Sequence, residues 1–364
     1  MDTSSHREVR TLGPTHTLAD YVSALDKALT ADGPALGCGP VHSTSVRSDI
    51  SLLVATSGST GTPKEIALTA SALTASATAS NKFLKAAKGD TWSLLLPLTH
   101  IAGINVLIRS LELGTEPIDL RNYEGEYPQA DFTAIVPTQL FRALNGDDRL
   151  LRHLQAAKAV LVGGAALAPE VHLQASAAQI KVITSYGSSE TAGGCVYNGT
   201  PLDGVDISLT PEKKIAIKGS ILATTYLGAQ TLWDTNIQDG WLITSDSGRI
   251  ENEKLIVEGR LDDVIISGGE NISLSAIEGS LHAHFPHKSF AAFSIKDPQW
   301  GDALHVAVAG DGFPSENELT EYLVEKFGAP SKPKGYLYLP ELPLVGIGKV
   351  DRKKLQELLM EAPN

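Results

Sequence analysis

The chain has 364 residues, of which 42% are apolar and 20% are charged. These values are typical of a soluble globular protein and exclude a disordered or fibrous chain. With 42 acidic and 30 basic residues the formal net charge is −12, so no broad cationic face is available for a nucleic-acid backbone. We therefore expect two or three packed domains, an enzyme-like body and no nucleic-acid partner.

The cysteines and the N-terminal composition indicate the compartment. Cys38 and Cys195 are too few for a disulfide framework and lack the C-x-x-C spacing of a zinc or redox site. Residues 1–18 are polar and mixed in charge, unlike a signal peptide, and no apolar run approaches the roughly 20 residues that a membrane-spanning helix needs. We expect a cytoplasmic protein without integral membrane contact.

The first fifty residues carry few structural signals. Residues 18–29 show the apolar periodicity of an amphipathic helix. Residues 32–40 contain Gly and Pro and have the composition of a loop. We therefore expect this part of the chain to be a short lead-in to the main domain.

The central part of the chain alternates short β-like runs with helical patterns, which predicts α/β layers. The predicted strands of this part are residues 51–55, 93–96, 133–136, 159–162 and 180–184. The predicted helices are residues 70–85 and 139–145. After Tyr186, Gly-punctuated strands predict an antiparallel subdomain, with strands at residues 207–209, 214–217 and 241–244.

The last hundred residues predict a compact α+β domain. Its strands are expected at residues 255–257, 264–266, 290–295 and 305–308. Its helices are expected at residues 275–284, 315–327 and 352–360. The predicted fold class is therefore α/β, with a large N-terminal domain of layered sheets and helices followed by a small α+β C-terminal domain.

The strongest local signal is the segment TSGSTGTPK at residues 56–64, directly after a predicted strand. Such a loop can surround phosphate oxygens with N–H groups and hydroxyls, while Lys64 adds a point charge. The segment does not match a Walker A loop, because Gly58 and Gly61 are wrongly spaced and Pro63 precedes the lysine. This mismatch disfavours P-loop NTPases and kinases. On composition alone the segment could also be a flexible linker.

Four further segments follow in a set order. They are SYGSSET at 185–191, TSD at 244–246, GRLDDVIISGGENI at 259–272 and GIGKVDR at 346–352. Together with the Lys64 loop they resemble the motif set of the adenylate-forming superfamily of acyl-CoA synthetases, peptide-synthetase adenylation domains and luciferases. The resemblance spans about residues 50–352 and implies a large N-terminal domain and a small mobile C-terminal domain, hinged near Asp262. We place these domains at residues 1–259 and 260–364.

A narrower resemblance concerns the segments PLTHIAGINVLIRS at 97–110 and IVPTQL at 135–140. The spacing from His100 to Arg109, followed by the second segment, is similar to the o-succinylbenzoate–CoA ligase branch of menaquinone biosynthesis. A substrate with two carboxylates needs one of them neutralised in the pocket while the other is activated, and the planar guanidinium of Arg109 suits that task. The alternative for Arg109 is a structural ion pair on a helix.

The family resemblance implies two half-reactions with ATP, Mg²⁺ and CoA. A small-molecule carboxylic acid attacks the α-phosphorus of ATP, and the CoA thiol then displaces AMP from the acyl-adenylate. The residues implied in binding nucleotide or CoA are Ser57, Gly58, Ser59, Thr60, Gly61, Lys64, Gly163, Gly164, Ala165, Tyr186, Gly187, Ser189, Asp246, Arg260, Gly268 and Gly269. The resemblance also allows a homodimer.

Individual roles follow from the same resemblance. The hydroxyls of the 56–64 loop and Lys64 would hold the β- and γ-phosphates, Asp246 would accept the ribose hydroxyls with Arg260 assisting, and Tyr186 would stack on adenine. Residues 163–165 would line the adenine pocket. Rotation of the small domain would bring the 268–269 face to the active site for thioester formation.

Three residues are implied in catalysis or metal binding, each with a simpler alternative. Glu190 would bind Mg²⁺ or be a surface glutamate. Lys349 would contact the carboxylate and the α-phosphate during adenylate formation, or be a solvated lysine before the last helix. His100 would gate the pocket rather than act as an obligatory base, or be a packed core histidine.

Two other features carry less chemistry. His282, His284 and His287 lie near Pro286 without matching acidic ligands, so a solvated loop is favoured over a metal site. Cys195 has no His or Asp nearby in the sequence, so we expect it to pack rather than react.

The leading hypothesis is thus an ATP- and CoA-dependent ligase for o-succinylbenzoate. The alternatives are a ligase for another acyl or aryl acid, an adenylation enzyme that hands its acyl group to a carrier protein, and a non-catalytic nucleotide-binding protein.

Overall fold

The computed structural model describes residues 6–13, 15–57, 63–267, 269–285, 288–310, 312–345 and 349–361. Within these residues the helices are α1 (Leu18–Leu29), α2 (Ala70–Phe83), α3 (Ile101–Leu113), α4 (Pro137–Leu144), α5 (Asp148–Ala156), α6 (Pro169–Ala177), α7 (Gln230–Asn236), α8 (Leu274–His284), α9 (Glu316–Phe327) and α10 (Arg352–Glu361). None of these described helices is long and apolar enough to cross a bilayer.

The strands occupy most of the remaining chain. They are β1 (His6–Thr11), β2 (Ala35–Cys38), β3 (Ser45–Arg47), β4 (Ile50–Ser57), β5 (Pro63–Thr69), β6 (Trp92–Leu94), β7 (Ile118–Asp119), β8 (Phe132–Ile135), β9 (Ala159–Gly163), β10 (Val182–Ser188), β11 (Gly193–Tyr197), β12 (Thr200–Pro201), β13 (Val205–Leu209), β14 (Lys214–Gly219), β15 (Thr225–Leu227), β16 (Ile237–Gln238), β17 (Trp241–Glu251), β18 (Lys254–Arg260), β19 (Val264–Ser267), β20 (Glu270–Ser273), β21 (Ser289–Asp297), β22 (Gly301–Ala309), β23 (Gly335–Leu339), β24 (Leu344–Val345) and β25 (Lys349–Val350).

The first sheet has the strand order β15-β5-β4-β2-β1-β3. Here the prediction of a short lead-in with a loop at 32–40 is wrong, because β2 is fully buried and pairs in parallel with both β1 and β4. Gly37 permits this close pairing, since a Cβ there would lie 2.7 Å from Thr11 Oγ1. The predicted helix at 18–29 is confirmed as α1, which begins with a capping box between Thr17 and Asp20.

The second sheet has the order β12-β11-β10-β9-β8-β6-β7 and is parallel from β10 to β7. Helix α2 contacts strands of both sheets, and α3 contacts α2 and the second sheet. One hydrophobic core therefore joins the two sheets through Leu52, Leu73, Leu107 and Phe132. The prediction of α/β layers in this region is confirmed.

Two helices on the outer side of the second sheet were not predicted. Helix α5 begins at an Asp147 cap and buries Leu150 and Leu154. Helix α6 buries only Ala175, so its sequence shows no apolar face from which a helix could be predicted. Both helices supply the crossovers that parallel strands require.

The third sheet, with β13, β14, β16, β17 and β18, is antiparallel throughout, as predicted for the region after Tyr186. The fourth sheet, with β19 to β23, packs against α8, α9 and α10 in the predicted α+β arrangement. Its core contains Ile277, Phe290, Leu304 and Leu323. Within the residues that the structure describes, none of the core clusters joins residues before Arg260 to residues after it.

Candidate active site

The predicted nucleotide residues gather where the parallel strands β9 and β10 end. Gly163, the last residue of β9, is the register partner of Ser185 on β10. A Cβ on Gly163 would lie 3.0 Å from the Ser185 carbonyl oxygen, and Gly164 has a φ of +84°, so both positions favour glycine. The chain then leaves the sheet through the exposed Ala165. Carboxyl ends of parallel strands are the usual ligand-binding edge of an α/β sheet.

Tyr186 and Asp246 are joined directly, although they lie on different sheets. The Tyr186 hydroxyl donates a hydrogen bond to Asp246 Oδ2 at 2.7 Å. Asp246 on β17 is the register partner of Arg260 on β18, so carboxylate and guanidinium belong to facing positions of one hairpin. Burial and the neighbouring Asp246 raise the pKa of Tyr186, which keeps its hydroxyl protonated as a donor.

The turn after Tyr186 depends on a close backbone approach. A Cβ on Gly187 would lie 2.1 Å from the Gly193 carbonyl oxygen, so only glycine fits. Ser189 and Glu190 follow in a short 3-10 turn, Ser189–Thr191. Asn105 of α3 anchors the end of this turn by donating to the Ala192 carbonyl oxygen at 2.8 Å. The predicted loop is thus fixed to both the second sheet and α3.

Glu190 and Lys64 meet on either side of one tyrosine. The Tyr226 hydroxyl donates to Glu190 Oε1 at 2.8 Å, and Lys64 Nζ lies 5.2 Å from the centroid of the Tyr226 ring. Tyr226 reaches this place because β15 pairs with β5, the strand that carries Lys64. The structure therefore brings together the predicted phosphate-loop cation and the predicted metal carboxylate.

Arg109 lies in the core on α3. Its side chain is 4% exposed, its Nη2 donates to the Tyr197 hydroxyl at 3.1 Å, and its guanidinium carbon lies 5.0 Å from the Trp92 ring centroid. Among the described residues it forms no ion pair with a carboxylate, and its buried Nε has no hydrogen-bond partner. The structural ion pair considered for Arg109 is therefore not formed in the described part of the chain.

His100 is the residue that begins α3. It has extended backbone angles, its side chain makes no capping hydrogen bond, and its carbonyl oxygen accepts the Gly103 and Ile104 N–H groups. The imidazole is half-buried, so it is not a fully packed core histidine.

Several predicted residues cannot be placed. Ser57 ends β4 and Lys349 begins β25, but their side chains are not described. The strand β25 pairs with β24 in a two-stranded ribbon, with Val345 opposite Lys349. Gly269 follows β19 with a φ of +87°. The predicted residues that lie outside the described part of the chain are Gly58, Ser59, Thr60, Gly61 and Gly268.

A cleft of about 680 Å³ opens beside this region, between α6, β10 and the β17–β18 hairpin. Thr184 lines it, and because strand side chains alternate, Tyr186 projects from the same face of β10. His172 and Asn198 add polar groups to its wall. Its volume lies in the range of small-molecule sites, although none of the predicted binding residues lines it.

Four residues in this network were missed by sequence reasoning. They are Trp92, Asn105, Tyr197 and Tyr226. Asn105 lies within the segment at 97–110 but was not singled out there, and the other three lie outside the recognised motifs; only the packing of distant elements shows what these residues contact.

The remaining candidates have structural contacts. Cys195 is buried, and this burial raises the pKa of its thiol to about 12, which disfavours a reactive thiolate. His282 lies on α8 rather than in a loop and accepts the Phe290 N–H at Nε2, while His284 stacks on Tyr322. His287 lies outside the described residues.

Comparison with known proteins agrees with this geometry. The model of the family described as "AMP-binding enzyme" matches residues 6–221, which is more than half of the chain. The chain belongs to the AMP-binding enzyme family. The match includes β9, β10 and the Glu190 turn, whereas Tyr226, Asp246 and Arg260 lie after it.

Relatives of this AMP-binding enzyme cover most of its length. A protein of Mycobacterium tuberculosis named "Probable 2-succinylbenzoate--CoA ligase" is 36% identical over 360 residues, covering 91% of this chain and 93% of that protein. The o-succinylbenzoate CoA synthetase of Bacillus subtilis in complex with its acyl-adenylate intermediate matches with a TM-score of 0.77 and 23% identity, covering 96% of this chain and 83% of that one. The same synthetase with ATP and magnesium ion matches with a TM-score of 0.75 and 23% identity over 95% and 83% of the two chains. These structural matches confirm the predicted fold class.

Proposed function

We propose that this AMP-binding enzyme activates 2-succinylbenzoate with ATP and transfers the acyl group to CoA. The observation that carries the proposal is the buried Arg109 guanidinium, which has no carboxylate partner among the described residues and an unused Nε donor. A buried charge without a counter-ion is costly, and a second substrate carboxylate would supply that counter-ion in a planar geometry. The names of the relatives support the same substrate.

In the first half-reaction a substrate carboxylate oxygen attacks the α-phosphorus of ATP and pyrophosphate leaves. Charge develops on phosphate oxygens, so the task of the protein is positioning and electrostatic stabilisation. Lys64 would contact the β- and γ-phosphates, and Asp246, oriented by Tyr186, would accept the ribose hydroxyls. Lys349 would stabilise the developing charge between the carboxylate and the α-phosphate.

Glu190 fits a magnesium ion by the chemistry of its donor atoms. Its Oε1 accepts the Tyr226 hydroxyl, and a half-buried carboxylate is an oxygen ligand of the kind that a hard cation prefers. When bound, Mg²⁺ would neutralise charge on the ATP phosphates, while Glu190 holds it and Lys64 holds the phosphate oxygens nearby.

In the second half-reaction the CoA thiolate attacks the acyl carbonyl carbon and AMP leaves. We propose that the part of the chain from residue 260 onward moves as a unit between the two half-reactions, which would withdraw Lys349 and present the Gly269 face. The absence of any shared core cluster across Arg260, among the described residues, supports this division at 1–259 and 260–364. His100, at the start of α3, would gate the acid pocket.

We further propose that the enzyme works in the cytoplasm and forms a homodimer. The two buried, unpaired thiols, Cys38 and Cys195, are consistent with a reducing compartment. Light scattering of the purified chain tests the dimer, which a monomer mass would exclude.

A coupled assay tests the proposed reaction. The protein is supplied with Mg·ATP, CoA and either 2-succinylbenzoate, benzoate or a fatty acid, and AMP release and thioester mass are measured. We expect thioester to form far faster with 2-succinylbenzoate than with benzoate or the fatty acid. Equal turnover of benzoate would favour a general aryl-acid ligase, and ATP binding without turnover of any acid would favour the non-catalytic reading.

A further inference from the structure

The Tyr226 side chain contacts both Lys64 and Glu190. Its hydroxyl donates to Glu190 Oε1, its ring faces Lys64 Nζ, and the edge of the ring packs on Trp233 with centroids 5.1 Å apart. The side chain is 4% exposed, so water does not compete freely for the hydroxyl.

The backbone around Tyr226 is held by other bonds. Ala223 N–H donates to the Glu190 carbonyl oxygen at 2.8 Å, and Thr224 N–H donates to the Ala67 carbonyl oxygen at 2.9 Å. Pairing of β15 with β5 adds the ladder from Thr225 to Leu227. Main-chain bonds thus hold this segment without the hydroxyl, whose donated hydrogen bond goes to the Glu190 carboxylate.

The Tyr226 hydroxyl donates its hydrogen bond to Glu190, while Lys64 faces the ring, so the two contacts use different parts of the side chain. Since Glu190 Oε1 is occupied by this donor, the carboxylate is held in one rotational position.

We propose that Tyr226 is a positioning residue for Mg·ATP: its hydroxyl orients the Glu190 carboxylate toward the metal, and its ring holds the Lys64 ammonium beside the same phosphates. This inference rests on the role given to Glu190 in the proposed function. It does not depend on which acid the enzyme activates, because only ATP and Mg²⁺ meet this cluster.

Calorimetric titration of ATP over a range of Mg²⁺ concentrations, without acid or CoA, tests the proposal. Tyr226→Phe keeps the ring contacts with Lys64 and Trp233 and removes only the hydroxyl. We expect it to need about 10- to 100-fold more Mg²⁺ for half-maximal ATP binding, the effect of one hydrogen bond to a charged group, with ATP affinity in the absence of Mg²⁺ unchanged. Tyr21→Phe is the matched control, since its buried hydroxyl bonds the Leu12 carbonyl oxygen away from the site.

An unchanged Mg²⁺ dependence in Tyr226→Phe, or an equal loss of ATP affinity with and without Mg²⁺, would overturn the proposal. A second variant guards against a folding effect. In a Glu190→Gln background, Tyr226→Phe should cause no further change in Mg²⁺ dependence, and an undiminished effect there would show that Tyr226 does not act through Glu190. Failure of 2-succinylbenzoate turnover would leave these binding results unaffected, so the two proposals fail separately.

Discussion

The residues before Arg260 and those after it hold their functional groups in different ways. Before Arg260, Asp246 and Glu190 each accept a hydrogen bond from a tyrosine hydroxyl that comes from another element. After it, the backbone of Lys349 lies on a ribbon of two short strands, β24 and β25. The proposed binding groups Asp246 and Glu190 are thus fixed by contacts between elements, while the backbone of Lys349, the proposed catalytic cation, lies on a small element.

The residue that follows the β24–β25 ribbon is bonded to the rest of the C-terminal part. Arg352, which follows the ribbon, donates to Glu278 Oε1 at 2.9 Å and to the Ala292 carbonyl oxygen at 2.9 Å. Burial raises the pKa of Glu278 although the Arg352 charge opposes this. Lys349 would therefore move together with the fourth sheet, which is what a domain rotation between half-reactions requires.

Removing the C-terminal cation is expected to have the largest effect. Lys349→Ala should lower the rate of adenylate formation by about 100- to 1000-fold, because a charge stabiliser of the transition state is lost. Thioester formation from supplied acyl-adenylate should be nearly unchanged, since Lys349 is withdrawn in that step. Rapid-quench measurement of each half-reaction checks this, and equal losses in both would refute the role of Lys349.

Because the residues before and after Arg260 have separate cores, a cavity made in one core should lower the stability of that part alone. Leu304→Ala, at a fully buried position of the C-terminal core, should cost about 2–5 kcal/mol of stability there. ATP affinity should be kept, because the proposed phosphate, metal and ribose residues Lys64, Glu190 and Asp246 lie before Arg260. Leu107→Ala in α3 is the matched control. It should lower the stability of the N-terminal part and weaken ATP binding as well. If calorimetry shows a single transition that both variants lower equally, the division at Arg260 is wrong.

The Arg109 contact should give a smaller and more selective effect. Arg109→Lys replaces a planar fork by a point charge and should lower kcat/KM for 2-succinylbenzoate by about 10- to 100-fold. Turnover of a monocarboxylate analogue should change little. Steady-state kinetics with both acids decides the point, because an equal loss for both would make Arg109 a structural residue of the Trp92–Tyr197 cluster.

Sequence reasoning succeeded where a residue and its partners lie in one motif or pattern. The α/β layers of the central region, the antiparallel strands after Tyr186 and the α+β end of the chain were predicted in this way. Strand β2 was missed because its four buried residues are flanked by Gly and Pro. Tyr226 was missed because its contact with Glu190 arises only when β15 pairs with β5, more than a hundred residues earlier in the chain.

The most direct test of the two-step reaction omits CoA. The protein is mixed with Mg·ATP and 2-succinylbenzoate, quenched, and analysed by mass spectrometry for the acyl-adenylate together with released pyrophosphate. We expect about one equivalent of adenylate per active site, converted to thioester and AMP when CoA is added. Thioester formation that proceeds without any adenylate, or pyrophosphate release that needs CoA, would contradict the proposed two-step reaction.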